Sequence, residues 1–180
     1  MYLWNRSLVE NLAFGAEGAA DLTRAIDDAD LRGVIDRLPE GAGTSLGEAG
    51  GLVSGGEGQR VRLGRALAQQ APRLVILDEP FRGLPRDRRA ALLARVRARW
   101  AGATLLCVTH DIGDTADFPR VLVVAGGQIV EDGAPAALRE RAGSRYAAMA
   151  EAERRVREAV WSGPPWRRWR VEAGQVIEEP

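Results

Sequence analysis

Two short apolar runs with a helix-patterned stretch between them constrain this chain most. Leu74 to Leu77 is continuously apolar and ends in Asp78-Glu79-Pro80, and Thr104 to Thr109 leads into His110-Asp111. From Asp87 to Trp100, Leu92, Leu93, Val96 and Trp100 recur at helical spacing. Apolar runs of this length without polar alternation predict parallel strands covered on both faces. Strand, helix, strand then predicts a right-handed βαβ crossover and an α/β fold. Ligands of open α/β sheets gather at the carboxyl ends of the strands, which is where Asp78, Glu79 and His110 fall.

The 180 residues suit one domain, or one domain plus an extension. A charged fraction of 28% beside 46% hydrophobic residues argues against bulk disorder. Basic and acidic side chains balance at 25 each, so no global field recruits nucleic acid or anionic lipid. Every one of the 25 basic residues is arginine. With no lysine, a G-x-x-x-x-G-K-[ST] phosphate loop cannot exist within these residues. The single cysteine, Cys107, excludes an internal disulfide and reads as a small buried hydrophobe. No window reaches the ~18–20 apolar residues that span a bilayer, and the first residues lack the pattern of a signal peptide.

Local punctuation fills in the rest. Ser7-Leu8-Val9-Glu10 fits a capping box, so a short helix begins there. Asp21 to Leu38 reads as two amphipathic helices broken near Gly33 or just before it, and Pro39 to Leu52 as glycine-rich loop. Ser54-Gly55-Gly56-Glu57 is a second capping box, opening a helix that stops before Pro72. Arg120 to Val124 and Gln128 to Glu131 flank Ala125-Gly126-Gly127, as in a hairpin. A charged helix from Ser144 to Trp161 precedes a Trp/Arg-rich tail and a short hairpin turning at Ala173-Gly174. Three segments follow: a helical subdomain over 1–72, a catalytic α/β part over 73–145 and a C-terminal helix and hairpin over 146–180.

Each chemical element has a plain alternative. A helix N-terminus offers unpaired N–H groups and about half a positive charge, and two glycines let the main chain approach a phosphate oxygen. Ser54, Gly55 and Gly56 therefore form either an anion cradle or an ordinary helix cap. Asp78 and Glu79 are either a helix-capping acid pair or a Mg²⁺ ligand beside a residue that orients an attacking water. A lone histidine after a strand is commonly structural, but its position beyond the second strand places His110 with the two acids.

In order along the chain, these residues resemble the ATPase domain of ABC transporters. Val53-Ser54-Gly55-Gly56-Glu57 with Gln59-Arg60 is similar to the signature motif, Leu74 to Asp78 to Walker B, Glu79 to the catalytic glutamate and His110 to the switch histidine. Leu38-Pro39-Glu40-Gly41, Gly47-Glu48-Ala49-Gly50, Ser7 to Leu12 and Val130 to Pro135 look exporter-like. The resemblance covers about residues 3 to 150. It implies an incomplete P-loop NTPase fold, a helical signature subdomain plus a parallel-sheet half, that begins past the Walker A and Q-loop positions.

The resemblance also implies roles. Asp78 would hold Mg²⁺ through water, Glu79 would polarise the attacking water and His110 would contact the γ-phosphate of ATP. Ser54, Gly55, Gly56 and Glu57 would act in trans on the nucleotide of a second, head-to-tail domain. Transmembrane domains, fused upstream or carried separately, would be the other partner, at the cytoplasmic face of the inner or plasma membrane. Three departures stand out. Val53 replaces the usual leucine, Glu57 the usual glutamine, and Phe81-Arg82-Gly83-Leu84-Pro85 replaces a T-S-A-L-D loop, removing its aspartate. A carboxylate at 57 should repel phosphate unless it folds back as the capping partner. The chain alone is expected to lack ordinary ATPase turnover, and its strands to lie open on at least one side, favouring aggregation or dependence on a partner.

Overall fold

The computed structural model describes residues 2–16, 21–162, 168–172 and 175–179. The chain divides into two compact units, Met1–His110 and Asp111–Pro180.

In the first unit both capping boxes close as the sequence predicts. Ser7 N–H donates to Glu10 Oε2 at 2.9 Å and Ser7 Oγ accepts from Glu10 N–H at 3.2 Å, which starts α1 (Leu8–Ala13). Helix α2 (Leu22–Asp28) is capped by Asp21, whose carboxylate accepts from Arg24 N–H at 3.0 Å. The break before α3 (Arg32–Ile35) falls at 29–31, where Asp30 takes a left-handed φ of 55°. Two single 3₁₀ turns, Gly41–Gly43 and Glu48–Gly50, punctuate the glycine-rich loop ahead of α4 (Gly55–Leu67).

These helices carry a core of their own. Leu8, Leu12, Leu31, Leu46, Val61 and Leu67 are fully buried. Helix α4 approaches α1 at Gly64, where a Cβ would come within 2.7 Å of Leu12 Cδ2. The next residue, Arg65, is buried without a carboxylate against it. Its Nε donates to Asn11 O at 2.7 Å, Nη2 to Asn11 Oδ1 at 2.8 Å and Nη1 to Tyr2 O at 2.9 Å. Its guanidinium lies 4.1 Å over the Trp4 ring. Burial lowers its pKa, and the carbonyls and ring supply the solvation that water would otherwise provide.

The βαβ unit is also as expected. Strand β1 (Leu74–Asp78) pairs in parallel with β2 (Thr104–Val108), in register from Leu74 opposite Thr104 to Asp78 opposite Val108. Helix α5 (Arg86–Arg99) makes the crossover. Coverage of both faces, which the uninterrupted apolar runs predict, is not what the structure shows. Val75 and Leu77 are buried, whereas Leu74 and Ile76 are 56% and 61% exposed, and Leu106 and Val108 are 44% and 48% exposed. Among the described residues no layer covers that second face, so the runs keep the composition of a two-sided strand while being packed on one side. The expectation of an open side holds instead.

In the second unit, a 3₁₀ turn (Ile112–Thr115) leads to β3 (Val121–Ala125) and the antiparallel β4 (Gln128–Gly133). Gly126 and Gly127 turn the hairpin with φ of 57° and 74°, angles a Cβ would oppose. Ile112, Val123, Leu138 and Tyr146 form its core beside α6 (Pro135–Glu140) and α7 (Arg145–Ser162). Glu131 fixes the start of α7 by accepting from the N–H groups of Arg145 at 2.8 Å and Tyr146 at 2.9 Å. Strands β5 (Arg168–Glu172) and β6 (Gln175–Glu179) pair antiparallel, and the Ala173-Gly174 turn read from the sequence lies outside the described residues.

Candidate functional site

The parallel register sets the site. Asp78 is the last residue of β1, exposed, and opposite Val108. At Glu79 the backbone turns away with a φ of 47°, a left-handed conformation that is uncommon outside glycine. Two bonds hold that turn against β2. Glu79 N–H donates to Val108 O at 2.9 Å, and Glu79 Oε1 accepts from His110 N–H at 3.0 Å. His110 Nδ1 also lies 2.6 Å from Glu79 Oε1. The left-handed turn thus folds the carboxylate back across the end of β2, onto the residue that follows the second strand. Glu79 and His110 are in direct contact, and Asp78 stands at the same end of the sheet.

What this arrangement can hold follows from its donors. Among the described residues there is no cluster of three or more His, Cys, Asp or Glu able to enclose a metal. Asp78 supplies one exposed carboxylate. That fits Mg²⁺, which keeps several waters and is commonly held by one or two carboxylates together with substrate phosphates. It does not fit a metal caged by protein alone.

Serine 54 sits at the N-cap of α4. Ser54 N–H donates to Glu57 Oε2 at 2.9 Å, and Ser54 Oγ accepts from Glu57 N–H at 3.3 Å. Gly55 is exposed, with no atom within 4 Å of where a Cβ would stand, so its main chain is open to approach. Gly56 is different. A Cβ there would lie 3.1 Å from both Gly83 O and Leu84 Cδ2, so this glycine seats the helix start against the loop that follows β1. One turn further, Gln59 Nε2 donates to Glu79 O at 2.9 Å. Two independent contacts therefore tie the start of α4 to the segment carrying the acids.

The residues that replace T-S-A-L-D hold this loop by packing. Phe81 and Leu84 are buried, Gly83 adopts a φ of 78°, and Arg89 Nε donates to Leu84 O at 2.7 Å. Pro85 occupies the N-cap of α5 and offers no side-chain hydrogen bond.

Glu57 does fold back as a capping partner, and it also has a cation. Its Oε1 is paired with Arg37 Nη2. The Ser54 N–H, then the Ser54 hydroxyl and Arg37, hold its carboxyl below the usual range. Arg37 lines a cleft of about 410 Å³ beside the start of α4, together with Asp30, Glu57, Arg60 and Arg88. Asp30 Oδ2 accepts from Arg60 Nη1 at 2.9 Å and lies 3.9 Å from Arg88 Nη1. Sequence reasoning missed Arg37 as a site residue. It is one of many charged positions between 21 and 38, and its partner stands twenty residues away.

No family model matches the chain. Individual relatives do. It is 34% identical over 146 residues to the ATP-dependent lipid A-core flippase of Ralstonia nicotianae, a match covering 78% of this chain and 24% of the relative. It is 35% identical over 148 residues to the glutathione/L-cysteine transport system ATP-binding/permease protein CydC of Escherichia coli, covering 81% and 25%. A third relative is the mitochondrial iron-sulfur clusters transporter ATM1 of Candida albicans, 34% identical over 152 residues, covering 82% and 20%. The chain thus spans about a quarter or less of the length of these relatives. A bacterial Atm1-family ABC exporter with ATP bound superimposes with a TM-score of 0.79 at 32% identity, over 84% of this chain and 27% of that one. By sequence and by fold, the chain belongs to the ABC exporters, as a portion of their ATP-binding domain.

Proposed function

We propose that this chain is the signature-to-C-terminal portion of an ATPase that couples ATP hydrolysis to export across a membrane. The contact between Glu79 and His110 at the end of the parallel pair carries this reading. It joins a carboxylate that can take a proton from water to an imidazole that can donate to phosphate. Asp78 would hold the Mg²⁺ of the nucleotide through water, and that ion would supply charge neutralisation on the phosphates. Ser54 and the N–H groups of Gly55 and Gly56 serve the nucleotide of a second domain, for which the open approach at Gly55 is suited.

The 180 residues contain no Walker A sequence, so the main phosphate cradle comes from residues outside them. Transmembrane domains and a second ATP-binding domain complete the machine, at the cytoplasmic face of the membrane. No helix among the described residues is long and apolar enough to cross a membrane.

Two turnover measurements test the reading. The 180-residue chain alone should hydrolyse ATP at background rate, and clear Glu79-dependent turnover by it would overturn the dependence on an outside cradle. Mixed with a polypeptide that supplies the upstream strands and phosphate loop of a relative, it should gain activity, and Glu79→Gln should remove about 10²–10⁴-fold of that rate. Activity that appears on mixing but is indifferent to Glu79→Gln would refute the assignment of Glu79.

A further inference from the structure

The signature motif of this chain carries a charge that the family's glutamine does not, and the structure shows where that charge is balanced. Glu57 stands in the first turn of α4, the turn whose N–H groups would receive a phosphate. A bare carboxylate there opposes an anion through space. Its Oε2 is occupied by the Ser54 N–H and its Oε1 by Arg37. Around the cleft three guanidinium groups, Arg37, Arg60 and Arg88, face two carboxylates, Asp30 and Glu57. Asp30 is already shared between Arg60 and Arg88. Arg37 is thus the cation paired with Glu57, and without it that carboxylate would stand unbalanced beside the start of α4.

We infer that Arg37 is a positioning residue of the signature motif, offsetting the charge of Glu57 so that the start of α4 stays attractive to phosphate. The inference rests on the reading of Ser54 to Gly56 as a phosphate contact. Its role is electrostatic rather than structural. The Arg37 side chain is 63% exposed, and an ion pair that exposed contributes little to stability. The charge itself still acts on an anion arriving a few ångströms away, because the protein flank screens less than bulk water does. The capping box, by contrast, needs only an acceptor at position 57. Glutamine provides one, which explains how the family's residue and this one cap the same helix start.

The test is a four-protein cycle on the full chain: wild type, Arg37→Gln, Glu57→Gln and the double variant. Each is titrated with inorganic phosphate at low ionic strength, following the amide shifts of Gly55 and Gly56 by NMR. Arg37→Gln should weaken binding about three- to tenfold, Glu57→Gln should tighten it, and the double variant should return to within about twofold of wild type. Arg37→Lys should bind like wild type, since it keeps the charge, and it decides the matter if Arg37→Gln lowers the thermal midpoint by more than about 2 °C. Equal binding by Arg37→Gln and wild type would overturn the inference while leaving the phosphate contact intact. So would a double variant as weak as Arg37→Gln, because the carboxylate of Glu57 would then not be the charge that Arg37 offsets. Absence of any shift in all four proteins would remove the phosphate contact and the role of Arg37 together.

Discussion

The helical region around α1 and α4 and the sheet formed by β1 and β2 belong to one compact unit but are built to different degrees. The helices bury Leu8, Leu12, Leu31 and Leu67 completely and satisfy a buried guanidinium with three hydrogen bonds. The sheet buries Val75 and Leu77 on one face and presents Leu74, Ile76, Leu106 and Val108 on the other. Strands this apolar on both faces belong to sheets sandwiched between layers. The comparison teaches that the helical side of the unit holds itself together, whereas the sheet is packed on one face alone. The exposed face has the chemistry of a covered one.

Three substitutions break or sharpen that contrast. Leu12→Ala leaves a cavity beneath Gly64 in the helical core and should cost about 2–5 kcal/mol in urea unfolding. A loss below about 1 kcal/mol would show that the helices are no better packed than the sheet. Arg65→Met removes the donors that satisfy Asn11 and the Tyr2 carbonyl, and should cost about 2–4 kcal/mol in the same assay. If Met is neutral there, the buried cation contributes nothing that packing alone does not. Ile76→Ser, on the bare face, should change stability by less than about 0.5 kcal/mol while reducing self-association in sedimentation velocity. A core-sized loss at Ile76 would mean that the face is covered in solution by a second copy, and the contrast would disappear.

The legible parts of the sequence were the local ones. Ser7 with Glu10 and Ser54 with Glu57 announce their helices because each box closes within four residues. Leu74 to Asp78 and Thr104 to Val108, with α5 between, announce the crossover because run length and helical spacing are periodic signals. Through them the sequence placed Asp78, Glu79 and His110 at one sheet end. It could not say that Glu79 would adopt a left-handed backbone to reach His110, since no local pattern marks a carboxylate for that turn. Nor could it show the bridge from Gln59 to the Glu79 carbonyl or the pairing of Arg37 with Glu57. Both link residues twenty positions apart that the chain's fold brings side by side. Coverage of both strand faces, read from the apolar runs, failed for a related reason, although an open side was expected from the incomplete sheet. Composition records the environment for which a strand is suited, and only coordinates record which layers surround it.

The seating of Gly56 on the Gly83 carbonyl, with Gln59 bridging to Glu79 behind it, bears on how such a chain can change over generations. Residues 54–59 and 79–84 share one mechanical joint, so neither stretch can drift in shape while the other stays fixed. A methyl gained at position 56 would stand 3.1 Å from the Gly83 carbonyl oxygen and Leu84 Cδ2, so the loop at 83–84 would have to yield by a few tenths of an ångström. Lineages should therefore alter these two stretches in concert, and a replacement at one should survive only alongside a matching adjustment at the other.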